Sequence, residues 1–138
     1  MFKIEMSDQN QITVTSKKFN YVYSVDGSLP NPLEATFAAL SGCAGVYTLK
    51  ACKKLNKSAE GISIECKPIV KPDNPSFPTS WITEIHFPQG WEEHEKTTVN
   101  EAVKKCAVKE LIQMGSQIQF VVNSSTKVLI TDKDPLNL

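Results

Sequence analysis

Between Glu34 and Lys50 the chain runs from Ala35 to Leu49 without a single charge, and most of those residues are small. Helix signals surround this stretch. Asn31 suits an N-cap, Pro32 the first helical position, and Glu34 the positive end of a helix dipole. The pattern predicts a helix over residues 32–55, about 36 Å long at a rise of ~1.5 Å per residue. A helix with no polar face belongs in a core. Lys50, Lys53, Lys54 and Lys57 bring charge back where the dipole is negative. Gly42 and Gly45 flank Cys43; they weaken the helix and leave room for a close approach to its axis. One small sheet cannot cover an apolar cylinder of that size, so a second copy of the chain is expected to cover the rest in a two-fold homodimer. The run falls short of the ~20 apolar residues of a membrane span.

Alternation with period two marks residues 2–6, 12–15 and 19–25 as three half-buried strands of an antiparallel meander. After the helix, residues 62–67 and 81–87 alternate in the same way. Residues 68–80 between them hold Pro68, Pro72, Pro75 and Pro78 and are expected to form a loop. Thr98 and Glu101 have capping-box spacing. A second helix is expected from there, with Val99, Ala102, Val103, Cys106, Leu111 and Met114 on its apolar side and Gly115 as C-cap. Residues 118–122 and 127–130 read as closing strands. Strands and helices are grouped, not alternating, so the expected fold is α+β: antiparallel sheets around a long central buried helix, in one domain over 1–138.

The charges balance, with 15 acidic and 15 basic residues, so no global field attracts a polyanion. No nucleic acid and no membrane is expected as a partner. Every basic residue is a lysine, which leaves no bidentate guanidinium clamp anywhere. Residues 1–6 are too polar for a secretory signal, and a cytoplasmic location with reduced thiols is expected. Cys43, Cys52, Cys66 and Cys106 show neither CxxC spacing nor a histidine at zinc-ligand spacing. His86 in a strand, and His94 among Glu92, Glu93 and Glu95, read as solvated surface. Neither a metal nor a cofactor is expected.

Cys43 lies midway along the first helix and Cys106 on the apolar side of the second, so both are aimed at the core. The ordinary reading of such residues is a small buried hydrophobe with an inert thiol. Their surroundings point elsewhere. Asn31-Pro32-Leu33-Glu34, followed by Ala38-Ala39-Leu40-Ser41-Gly42-Cys43, resembles the central-helix signature of the OsmC/Ohr family. Ala102-Val103-Lys104-Lys105-Cys106-Ala107-Val108 resembles that family's second motif, in which a cysteine ends a helix. The resemblance implies an intertwined homodimer and a thiol-dependent reduction of organic hydroperoxides. It implies Cys43 as the peroxidatic thiol, Cys106 as the resolving thiol, Glu34 as a functional carboxylate, and an external thiol as reductant.

The sequence also departs from the family's peroxidases. It has no arginine, Leu33 stands where they place a glutamate, and Ala107 stands where a proline usually follows the second cysteine. The match is nearer to the less characterised OsmC-like branch. Cys43 lies too deep in its own helix for that helix's dipole to help it. Burial is therefore expected to raise its pKa unless a lysine intervenes, with Lys17, Lys18 or a lysine of the second copy as candidates. Cys52 lies nine residues after Cys43 and faces the other way. Two further readings stay open: a non-catalytic dimer that binds an apolar small molecule, with structural or redox-sensing thiols, and a hot-dog thioesterase.

Overall fold

The computed structural model describes residues 1–123 and 127–130, with side chains up to Val121 except that of Ser76. Strands β1 (Lys3–Met6), β2 (Gln11–Thr15) and β3 (Asn20–Ser24) form the expected antiparallel meander. Its register stacks Ile4, Val14 and Tyr21 in one row and Met6, Ile12 and Tyr23 in the next. Period two therefore collects the apolar side chains on one face. Ile4, Met6 and Tyr21 on that face remain exposed.

Helix α1 (Pro32–Lys54) begins where its signals place it. The Asn31 side chain accepts the Glu34 N–H at 2.9 Å, and the Glu34 carboxylate accepts the Asn31 N–H at 2.9 Å. This reciprocal cap contributes about 1 kcal/mol. Buried Ser24 steadies the approach to it, accepting the Leu29 N–H at 2.9 Å and donating to the Leu29 carbonyl at 3.1 Å. Burial all round, expected from composition, is not met within one chain. Only Ala44, Thr48, Ala51 and Cys52 are buried, a single stripe, while Leu33, Val46 and Leu49 are exposed.

Residues 68–80 are not a loop. Strands β4 (Ser63–Lys71) and β5 (Asn74–His86) continue through them as one long antiparallel ribbon that turns at residues 72–73. Pro68 lies opposite Trp81 and Pro78 opposite Val70, next to shifts of register at Ile69, Val70 and Lys71. A two-stranded ribbon tolerates proline because each strand keeps one open edge, where a missing N–H breaks no ladder bond. Trp81 packs against Phe37 of α1 in a tilted pair with ring centroids 4.8 Å apart, which ties the ribbon to the helix.

The second helix also differs from expectation. Helix α2 (Glu93–Val103) starts five residues before Thr98, with the Glu92 N–H bonded to the Glu95 carboxylate at 2.9 Å. Thr98 lies inside it and donates to the His94 carbonyl. The helix ends after Val103, and a separate helix α3 (Ala107–Met114) follows. No glycine or proline marks this break, which is why helical spacing reads straight through it. Gly115 ends α3 at φ 66°, as expected of a C-cap glycine. Strands β6 (Phe120–Asn123) and β7 (Lys127–Ile130) pair antiparallel.

The core lies between α1, α2 and the base of the ribbon, where Ala51, Cys52 and Val99 meet Ile85, Phe87 and Trp91. Lys57 closes one end of it. Its ammonium lies 4.6 Å from the centre of the Trp91 ring, donates to the Gly90 carbonyl at 2.9 Å and pairs with the Glu95 carboxylate. The Lys57 bond, helped by the Glu92 N–H, holds the Glu95 carboxyl below the usual range. A carboxyl depressed by folding stabilises the protein above its unfolded pKa and loses that effect as pH falls through the folded value. Glu95→Gln is therefore expected to lower the denaturation midpoint at pH 7, and urea titrations should show the gap to the parent chain closing as pH falls below the Glu95 pKa.

Candidate functional site

The break after Val103 gives Cys106 its place. Lys105 N–H and Cys106 N–H turn back to the carbonyls of Ala102 and Val103, at 3.1 and 3.0 Å, and tighten the end of α2. Cys106 then adopts φ −58°, ψ 123° and becomes the N-cap of α3. Its sulfur accepts the Lys109 N–H at 3.4 Å, the bond that serine or aspartate makes at most helix starts. Cys106 is buried and Cys43 half-buried; both are free thiols.

The Cys43 sulfur faces this N-terminus. Cys106, the start of α3 and the Lys50 charge are the groups that act on its ionisation. Burial works to raise the Cys43 pKa. Those groups together outweigh it, and the thiol lies below its ordinary value. The expected rise for Cys43 is thus reversed, and the facing Cys106 thiol is the largest cause, ahead of the start of α3 and of Lys50. Cys106 moves the opposite way: burial and the facing Cys43 raise it, against the Lys109 N–H. The same environment separates the two thiols, one readier to ionise and one readier to stay protonated.

Lys50 was not among the lysines the sequence nominated. The signal was present: seven residues make ~700° of helix rotation, which returns Lys50 to nearly the face of Cys43. Its ammonium sits 4.7 Å from the Tyr47 ring centre. Lys17 and Lys18 lie exposed between β2 and β3. Glu34 is not brought to the sulfurs within one chain. It caps α1, nine residues and about 14 Å of helix axis before Cys43. Cys52 sits in the core away from the pair, and Cys66 lies on β4 facing Thr83 at 3.6 Å.

A cavity of about 560 Å³ reaches Cys106, with Leu40, Ala44, Trp81, Ile85 and Ile112 among its walls. That volume suits a small organic ligand. Glu65, Glu84 and His86 on the ribbon bring ligand atoms within 4.8 Å of one another. The Lys67 ammonium already lies between the two carboxylates, 2.8 Å from Glu84 and 3.2 Å from Glu65, and supplies the positive charge there.

The sequence matches no protein-family model and no curated protein. Solved structures do share its fold. A hypothetical protein from Aquifex aeolicus VF5 matches with TM-score 0.65 at 17% identity, over 84% of this chain and 88% of that one. An OsmC-like protein from Mycoplasma pneumoniae matches with TM-score 0.60 at 16% identity, over 82% and 86%. An OsmC-like hydroperoxide resistance protein from Jannaschia sp. CCS1 matches with TM-score 0.59 at 19% identity, over 92% and 93%. The chain has the OsmC-like fold.

The placement of the thiols predicts their pairing. Treatment of the reduced protein with diamide is expected to link Cys43 to Cys106 within one chain, leaving Cys52 and Cys66 alkylatable. Peptide mapping that finds a different intramolecular pair would contradict the arrangement.

Proposed function

We propose that this chain, with its OsmC-like fold, is a thiol-dependent redox protein of the OsmC/Ohr type that reduces organic hydroperoxides through Cys43 and Cys106. The observation that carries this reading is the meeting of Cys43 with Cys106 at the start of α3, where the more accessible thiol is the one eased toward ionisation. In the first step the Cys43 thiolate attacks the O–O bond. A sulfenic acid forms on Cys43, and the alkoxide leaves and takes a proton to become an alcohol. In the second step the Cys106 sulfur attacks the sulfenic sulfur; a disulfide forms and water leaves. An external thiol reductant then donates two electrons and two protons, is itself oxidised, and restores both thiols. The cavity beside Cys106 is walled in part by Leu40, Trp81, Ile85 and Ile112, which supports an organic hydroperoxide over hydrogen peroxide as substrate.

The working unit in this reading is a homodimer. Space is open beside both Gly42 and Gly45, where an added Cβ would meet nothing within 4 Å. Leu33, Val46 and Leu49 on the same helix, and Ile4, Met6 and Tyr21 on the apolar face of the meander, are exposed within the chain. A second copy supplies it and removes these surfaces from water. Among the described residues no helix is long and apolar enough to cross a membrane. The cytoplasm, where thiols are kept reduced, is the compartment this chemistry needs.

The competing reading is a dimer that stores an apolar molecule in the same cavity with its thiols idle. Titration with cumene hydroperoxide separates the two. The proposed function requires rapid loss of two thiols per chain in a protein of dimeric mass by light scattering. Cys43→Ser should abolish the reaction, and Cys106→Ser should arrest it at a sulfenic acid trapped by dimedone. Loss at the rate of free cysteine, together with a co-purifying ligand in native mass spectra, would establish the storage reading instead.

A further inference from the structure

The cavity beside Cys106 is charged as well as apolar. Among the described residues, Lys104 and Lys109 are its only charged walls. Lys104 caps the end of α2 and Lys109 stands in the first turn of α3, one on each side of Cys106 in the chain. Each ammonium is paired, Lys104 with Glu101 at 2.6 Å and Lys109 with Glu110 at 2.7 Å. Neither carboxylate belongs to the cavity walls. The pairs are open to water, with the lysine side chains 59% and 34% exposed, and pairs of that kind are weak. An anion inside the cavity can therefore recruit both lysines and meets no carboxylate on the described walls. Cys106 lines this cavity and Cys43 does not, so a molecule seated there meets the Cys106 sulfur first.

We propose that this cavity admits the external reductant and selects a small thiol that carries a carboxylate, held by Lys104 and Lys109. The inference rests on the cycle proposed above and names its second substrate. The reductant's thiolate attacks the Cys106 sulfur of the disulfide. A bond forms between those sulfurs, the Cys43–Cys106 bond breaks, and Cys43 leaves with the electron pair and takes a proton. A second reductant thiolate then attacks the reductant sulfur of the mixed disulfide. Cys106 leaves and takes a proton, and the reductant departs oxidised, as its own disulfide. The hydroperoxide and the reductant use the cavity in turn, since the alcohol has left before the disulfide is reduced. Lysine is a point charge without the planar fork of arginine, so the site reads charge and not the shape of a carboxylate.

The test needs no peroxide. The full-length protein is oxidised with diamide, and the return of its thiols is timed in mercaptopropionate, mercaptoethanol or cysteamine at low salt. These reductants are anionic, neutral and cationic. Each is compared only with itself across variants, so differences in their own thiol pKa values cancel. Lys104→Gln combined with Lys109→Gln is expected to slow mercaptopropionate about fivefold, the effect of one pair of unit charges ~4 Å apart in water. Mercaptoethanol should keep its rate, and cysteamine should gain. Lys105→Gln removes an exposed lysine next to Cys106 that is not a cavity wall, and should change none of the rates. Acid quenching early in the reaction should trap the mixed disulfide on the Cys106 peptide. If circular dichroism shows the double variant unfolded, the two single variants carry the comparison, each with part of the slowing. An unchanged mercaptopropionate rate, equal slowing by Lys105→Gln, or a mixed disulfide on Cys43 overturns the proposal while the peroxidase reading stands. Failure of diamide to link Cys43 to Cys106 would instead overturn the peroxidase reading, and the reductant step with it.

Discussion

The site depends on an interrupted helix. Were α2 and α3 continuous, the Lys109 N–H would be bonded to a carbonyl four residues earlier and would need no cap. The break after Val103 frees it, and the Cys106 sulfur takes the place of a capping oxygen. One residue thus ends a turn, caps a helix and presents a thiol to Cys43. A sulfur is a weaker acceptor than a hydroxyl or carboxylate. The cap is accordingly modest, and the geometry relies on the packing of Cys106 in the core, where it is buried.

Two opposing effects meet at Cys43. Burial disfavours the thiolate, and local donors favour it. The facing Cys106 thiol is the largest of the favouring groups, and with the start of α3 and Lys50 it prevails over burial. Cys106 sits in the same surroundings but faces Cys43, and a thiol beside a developing anion holds its own proton more tightly. Neighbouring groups of one chemical type whose proton affinities are driven apart mark a division of labour. In the proposed cycle this matches attack by the half-buried sulfur and resolution by the buried one.

Legibility from sequence followed the nature of the signal. The start of α1 was readable because Asn31, Pro32 and Glu34 act through side chains and ring geometry. The meander was readable because alternation survives in short strands. The ribbon over residues 68–80 was hidden, since proline argues against a strand unless an open edge is known to exist. The start of α2 was hidden because Glu92 and Glu95 look like surface charge until their capping geometry is visible. The two cysteines were chosen from the motifs around them. Of what eases the ionisation of Cys43, the facing Cys106 was legible from its motif, whereas the start of α3 was not, since no glycine or proline marks the break before it. Lys50 could have been found by counting turns from Cys43.

The proline-bearing ribbon has a consequence for the life of a newly made chain. Strand β5 alone spans about 43 Å at ~3.3 Å per residue, well beyond the breadth of the core it springs from. An arm of that reach would ordinarily recruit neighbouring strands into open-ended stacks. Pro68, Pro75 and Pro78 withdraw three amide donors from it, and the shifted register near Val70 kinks its outer half. Such an arm is a poor template for indiscriminate strand addition. The chain can therefore extend it into solvent with little tendency to aggregate through its edges.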